Sequence, residues 1–221
     1  MSELWDAVIK GAAAGLLLAV LIGGPVFVAL IKISLEKGFL VGLLFAAGVI
    51  ISDSSYFMLS YLGISQLKDS KLVAQILGAG GGAFMIGFGL SLIVKKIKTK
   101  NLDNKLIEEG SRFKTLLSGF LINTLNPAAL LFWIATVSTV TVEFSNKTRL
   151  IFAFFIVSMT FVFGTDVLKA FLAGKVKNIV TPKFMHWLNI VSGIVLMGVG
   201  VEKLGAASLN YFNFHPWGIG L

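Results

Sequence analysis

The chain contains no cysteine. Disulfides, thiol redox chemistry and thiolate metal sites are therefore excluded. Histidine is nearly as scarce: His186 and His215 are the only two, far apart, and they make no metal-ligating cluster. Charge is also thin. Only 14% of the 221 residues are charged, against about a quarter in soluble domains, so an ordinary soluble domain is excluded. The net charge of +8 is explained by the basic loops of a membrane protein, and nucleic acid is not an expected partner. No nucleophile–base pair and no phosphate-binding loop stand out, so neither an enzyme nor a cofactor is expected. The N-terminus lacks the positive region of a signal peptide, since Glu3 and Asp6 precede Lys10. The first apolar run is also too long for such a peptide and reads as a span.

Hydrophobic residues make up 56% of the chain, gathered in runs near the ~20 residues that cross a bilayer. Six runs are read, at about 8–31, 39–62, 72–94, 115–140, 148–172 and 184–204. The expected fold is an all-α integral membrane protein forming a single membrane domain. The one long polar segment, 95–114, separates two sets of three spans, repeat 1 at about 8–94 and repeat 2 at about 115–204. A short tail, 205–221, follows. Three spans per half require opposite insertion of the halves, the inverted-repeat plan of many secondary transporters. Loops one, three and five carry twelve Lys and Arg residues, the opposite side six. The positive-inside rule then places loop 95–114 in the cytoplasm and both termini outside.

Two runs are broken and two others hold an acid. Gly23-Gly24-Pro25 interrupts the first run and Asn126-Pro127 the fourth. Proline donates no N–H and its ring displaces the carbonyl four residues back, Leu21 for Pro25 and Asn123 for Pro127. Backbone opened inside a membrane is tolerated where protein or a water-filled cavity satisfies it. Such breaks offer N–H ends for a carboxylate and carbonyl ends for a cation, and Asn123 and Asn126 add amide groups at the second. A simple kink with a side-chain fix is the plainer alternative.

Asp53 stands in the second run and Asp166 in the fifth. A carboxylate at mid-bilayer costs about 2.5–3.5 kcal/mol on insertion scales, and such acids often lie on ion or proton pathways. A structural hydrogen bond is the alternative. Tyr56 lies one turn beyond Asp53 on the same face, a candidate partner for that acid or for substrate. Lys169 follows Asp166 by three residues, in reach of an ion pair. It would either neutralise Asp166 until a substrate ammonium displaces it or snorkel to the interface.

Glycine forms ordered rows: Gly11, Gly15, Ala19 and Gly23; Gly38, Gly42 and Ala46; Gly78 to Gly82. Such rows let membrane helices approach closely. Trp5, Trp133, Trp187 and Trp217 read as an interfacial belt, as does the aromatic tail from Asn210 onward.

These features resemble the lysine exporter (LysE) superfamily of translocators over essentially the whole chain. The resemblance rests on Gly24-Pro25, Ser34-Leu35, Gly38, Gly42, Gly48 and Ser52-Asp53, then on Gly119-Phe120, Asn123, Asn126-Pro127 and the apolar run 129–133. Two positions depart from the common pattern. Gly23 replaces the first proline of a frequent Pro-Gly-Pro, and Ala128 replaces the lysine of a frequent Asn-Pro-Lys. The resemblance implies proton-driven export of amino acids or similar small metabolites from the bacterial cytoplasm. It implies roles for Gly24, Pro25, Asp53, Asn123, Asn126 and Pro127. Small-molecule substrate, protons and the lipid bilayer are the expected partners; a homo-oligomer is compatible but not demanded. A metal-cation exporter and a non-transporting scaffold are the alternatives.

Overall fold

The computed structural model describes residues 2–19, 24–66, 71–94, 111–176 and 181–214. Gly23, most of the polar segment 95–114, and His215 and Trp217 lie outside them. The described residues form nine helices: α1 (Ser2–Leu17), α2 (Gly24–Lys37), α3 (Phe39–Gln66), α4 (Lys71–Val94), α5 (Arg112–Thr124), α6 (Pro127–Glu143), α7 (Thr148–Phe171), the short α8 (Ala173–Val176) and α9 (Pro182–Phe214). No strand occurs among the described residues.

Among the described residues, Phe39–Ile64 and Thr148–Phe171 are each long and apolar enough to cross a bilayer. The pair α5 and α6 reaches that length as one span bent by 68°. The first run is likewise two helices, of 16 and 14 residues. Neither covers about 30 Å of hydrocarbon at 1.5 Å per residue. Several boundaries differ from expectation. α1 starts at Ser2 and α2 runs to Lys37, beyond the expected 8–31, and α3 runs on to Gln66. α5 starts at Arg112, inside the expected polar loop, and α9 continues into the expected tail to Phe214.

Local chemistry explains the break between α5 and α6. Asn126 has extended backbone and its side-chain oxygen accepts from the N–H of Ala128 at 3.1 Å, with Pro127 next in line. Asparagine at the N-cap and proline at the first helical position are both strongly favoured there. Pro127 therefore starts a new helix rather than kinking an old one, and the Asn123 carbonyl is not left open: the N–H of Asn126 donates to it at 3.0 Å. Gly38, expected in a packing row, joins α2 to α3 with φ +90°, and no atom lies within 4 Å of where its Cβ would be. Its role is the turn, where a side chain would be strained.

The other glycines set the packing. α1 lies parallel to α7: a Cβ on Gly11 would sit 2.6 Å from the Phe154 carbonyl oxygen, and one on Gly15 2.5 Å from that of Ser158. α5 lies parallel to α3, with Gly119 against the Phe45 carbonyl and Gly48 against that of Leu116. α4 and α9 run antiparallel, Gly82 facing Gly200 and Gly89 facing Gly193. α3 and α7 also run antiparallel, and Phe57 stacks on Phe155 with centroids 4.2 Å apart. Bare backbones in contact are how helices associate where lipid supplies no hydrophobic drive.

Two apolar clusters result. One gathers Phe57, Trp133, Val137, Ile151 and Phe154; the other gathers Val26, Leu30, Phe45 and Ile122. On α3, Val49 belongs to the second and Tyr56 to the first. Asp53 falls between them.

Candidate functional site

Asp53 is 2% exposed, and its Oδ1 accepts two hydrogen bonds. Asn123 donates from Nδ2 at 2.9 Å and Trp133 from Nε1 at 3.0 Å. The Asn123 amide also reaches the Val49 carbonyl at 3.4 Å. Donors to an ionised acceptor contribute about 1.5–3 kcal/mol each, so two of them offset the ~2.5–3.5 kcal/mol cost of the acid in a membrane. Asp53 is thus held in place by its neighbours.

Trp133 corrects an expectation. It is fully buried rather than interfacial. Its ring meets Phe57 and Phe132 edge-on, at 5.8 and 5.3 Å between centroids, while its N–H reaches the acid. Buried tryptophan N–H groups find acceptors in this way. The signal available in the sequence was the break: counted from Pro127, Trp133 falls in the second turn of α6, well away from a span end. We expect Trp133→Phe to keep the packing and remove one donor. Melting in detergent should register a loss of about 1–3 kcal/mol, and an unchanged melting temperature would contradict the bond.

Tyr56 does not bond to Asp53. Its hydroxyl donates to the Thr124 carbonyl at 2.5 Å, satisfying the last residue of α5 just before the break. Beside it Ser52 Oγ and Thr124 Oγ1 are 2.9 Å apart. The start of α6 is also engaged. Ala128 N–H is capped by Asn126, and the N–H groups of Ala129 and Leu130 donate to the Asn126 carbonyl at 3.2 and 3.4 Å. The expected bare N–H end for a carboxylate is therefore used internally at this break.

Asp166 is buried and pairs with Lys169 Nζ at 2.8 Å. The ammonium also donates to the Ala19 carbonyl at 2.8 Å and lies 5.6 Å from the Phe27 ring centroid. Lys169 thus points inward, against the snorkelling alternative. Ala19 lies two residues past the end of α1 at Leu17, so this contact ties α7 to the C-terminal end of α1.

These groups converge. Asp53, Asn123, Asn126, Asp166 and Lys169 line one small cavity, with Ala19, Phe27 and Ala129 among the remaining wall. Its volume is about 20 Å³, room for about one water. Gly24, Tyr56 and Pro127 are not among its lining. Gly24 opens α2, with Pro25 in the first turn, and Pro127 opens α6. The cavity wall carries two carboxylates and one ammonium.

The relation between acids and breaks differs from sequence order. Asp53 bonds to Asn123, just before the break of the second half, and Asp166 is tied through Lys169 to Ala19, at the break of the first.

The chain is 27% identical over 188 residues to the putative amino acid efflux protein YcgF of Bacillus subtilis, covering 80% of this chain and 85% of that one. It is 25% identical over 202 residues to an uncharacterized membrane protein of Synechocystis, covering 90% and 96%. It is 27% identical over 124 residues to the leucine efflux protein of Salmonella typhimurium, covering 55% and 57%. No solved structure matches. The family model of the LysE type translocators matches residues 16–205, nearly the whole chain with both breaks and both acids inside the match, and the chain belongs to that family.

Proposed function

We propose that the chain is a secondary active, proton-coupled exporter of amino acids or similar small metabolites in a bacterial cytoplasmic membrane. One observation carries the reading: each buried acid leans on the break of the opposite half, and both meet at one cavity. A site assembled from two halves changes whenever the halves move relative to each other, which is what alternating access needs. The names of two relatives, amino acid efflux protein and leucine efflux protein, support the substrate class.

The reading includes six spans, α1 with α2 and α5 with α6 each counting as one broken span, arranged as two inverted repeats. Packing directions support it. Exchanging α1 with α5, α3 with α7 and α4 with α9 maps the parallel pair α1–α7 onto α5–α3, and maps each antiparallel pair onto itself. Loop 95–114 is then cytoplasmic and the termini face outward.

The chemistry follows from the charges. With all three groups ionised, two carboxylates against one ammonium leave an excess negative charge, which suits a substrate ammonium or a proton. The ammonium of an amino acid would compete with Lys169 for Asp166 while its carboxylate takes the freed Lys169. A proton arriving from outside would neutralise an acid and release the amine. The cavity holds about one water, so substrate entry requires the halves to part, with the two breaks as hinges. A metal cargo fits less well: no group of three His, Cys, Asp or Glu that could hold a metal ion occurs among the described residues.

Purified protein in liposomes loaded with labelled leucine tests the reading. Acidifying the outside should accelerate efflux several-fold, and a protonophore should remove the acceleration. Efflux indifferent to the gradient would end the proton coupling; no efflux of any amino acid would end the exporter reading.

A further inference from the structure

A second and larger cavity, about 280 Å³, lies between α1, α6 and the α4–α9 pair. Its walls include Phe132, Leu196 and Val199, with Thr136 among them. Lys10, Glu143 and Glu202 also line it. The cavity lies next to the central site along α1 and α6. Leu17 lines the larger cavity and Leu18 the smaller; Phe132 lines the larger and Ala129 the smaller. Three residues along α6 amount to about 4.5 Å. Lys10 of α1 pairs with Glu143 of α6 across the space between them, and with Asp6 at 2.7 Å on its own helix. The corresponding helices of the other halves behave differently: α2 packs directly on α5, while between α1 and α6 the cavity intervenes.

We propose that this cavity is a transit site for the exported molecule, an amino acid with an aliphatic side chain, and that the Lys10–Glu143 ion pair bars its mouth. The proposal rests on the exporter reading. The ionic part of the lining repeats the charge composition of the central site, two carboxylates with one ammonium, so it can exchange the same ammonium and carboxylate. The apolar wall matches an aliphatic side chain. The volume lies near the lower end of the ~300–1,000 Å³ typical of small-molecule pockets, which suits a single amino acid. The ion pair joins helices whose separation would widen the cavity. Its side chains are only partly buried, 38% and 39% exposed, so the bar is weak enough to open in each cycle.

The absence of cysteine makes the test direct. Thr136→Cys introduces one thiol into the cavity wall, to be labelled with a membrane-impermeant maleimide in right-side-out vesicles; Ser2→Cys reports which face carries the N-terminus. Labelling of the cavity thiol from that face is expected, slowed by leucine and unaffected by aspartate. Lys10→Gln or Glu143→Gln should accelerate it about two- to fivefold, the range set by losing a partly exposed ion pair. The exchange Lys10→Glu with Glu143→Lys should restore the slow rate. Labelling insensitive to leucine and to both neutral variants overturns the proposal, as does a thiol reached only by a lipid-soluble reagent, which would mark a lipid-filled groove. Leucine efflux that persists without protection of the thiol removes the transit site and leaves the exporter reading standing. Absence of efflux in the unmodified protein removes both.

Discussion

Asp53→Asn should abolish proton-coupled export while the protein still folds. Asparagine has nearly the shape of aspartate, and its amide oxygen can accept from Asn123 and Trp133 as Oδ1 does now. The contacts that hold α3, α5 and α6 together at this point survive. What disappears is the charge and the capacity to take a proton. Removing a buried charge relieves some of the ~2.5–3.5 kcal/mol insertion cost, so the melting temperature should hold or rise. Transport should fall by at least about 100-fold, the lower range for loss of a proton-transfer group. Gradient-driven leucine efflux from liposomes, read beside thermal unfolding of the same preparation, separates the two effects. Full coupled export by the variant would sink the assignment of Asp53. Trp133→Phe is the informative companion, since it leaves the acid and removes only a donor.

The second large effect concerns packing. Gly119→Val should cost about 3 kcal/mol or more and strip the chain of most of its folded yield. Overpacking usually costs about 1–3 kcal/mol because side chains can shift aside. Here the obstacle is main chain: a Cβ on Gly119 would overlap the Phe45 carbonyl and lie 3.2 Å from the Phe45 Cα. Both atoms belong to helices, so α3 and α5 must separate. Asn123, one turn beyond Gly119, would be drawn away from Asp53 with them. The control is Gly164→Val on α7, where no atom lies within 4 Å of the added Cβ and little change is expected. Monodisperse yield in detergent and melting temperature measure both. A wild-type melting temperature for Gly119→Val would mean that the two helices do not approach this closely.

The individual parts of the site were legible in the chain because they are conspicuous against an apolar background. A proline or a glycine pair interrupts a run visibly, and so does an acid. Their pairing was not legible. By position, Gly24-Pro25 goes with Asp53 and Asn126-Pro127 with Asp166. In the folded protein Asp53 goes with Asn123, and Asp166 with the end of α1 through Lys169. Which helix lies beside which is decided by surfaces such as Gly48 and Gly119. A glycine row shows that something packs closely there, without naming the partner. Trp133 was misplaced for a related reason. It was measured from the end of a long run, whereas the fourth run is a pair of shorter helices whose junction lies in the interior.

On the two-repeat reading proposed above, the exchange of acids between halves makes this single chain a fused pair. Neither half alone owns a complete site: one would hold Asp53 without Asn123, the other Lys169 without Ala19. Had the halves been separate molecules, they could have met identical copies of themselves as well as each other. The covalent link between α4 and α5 makes their encounter intramolecular, at the effective concentration that a short tether gives. It also enforces one copy of each. That freedom from self-pairing is what allows the two acids to differ, one held by neutral donors and the other by a lysine.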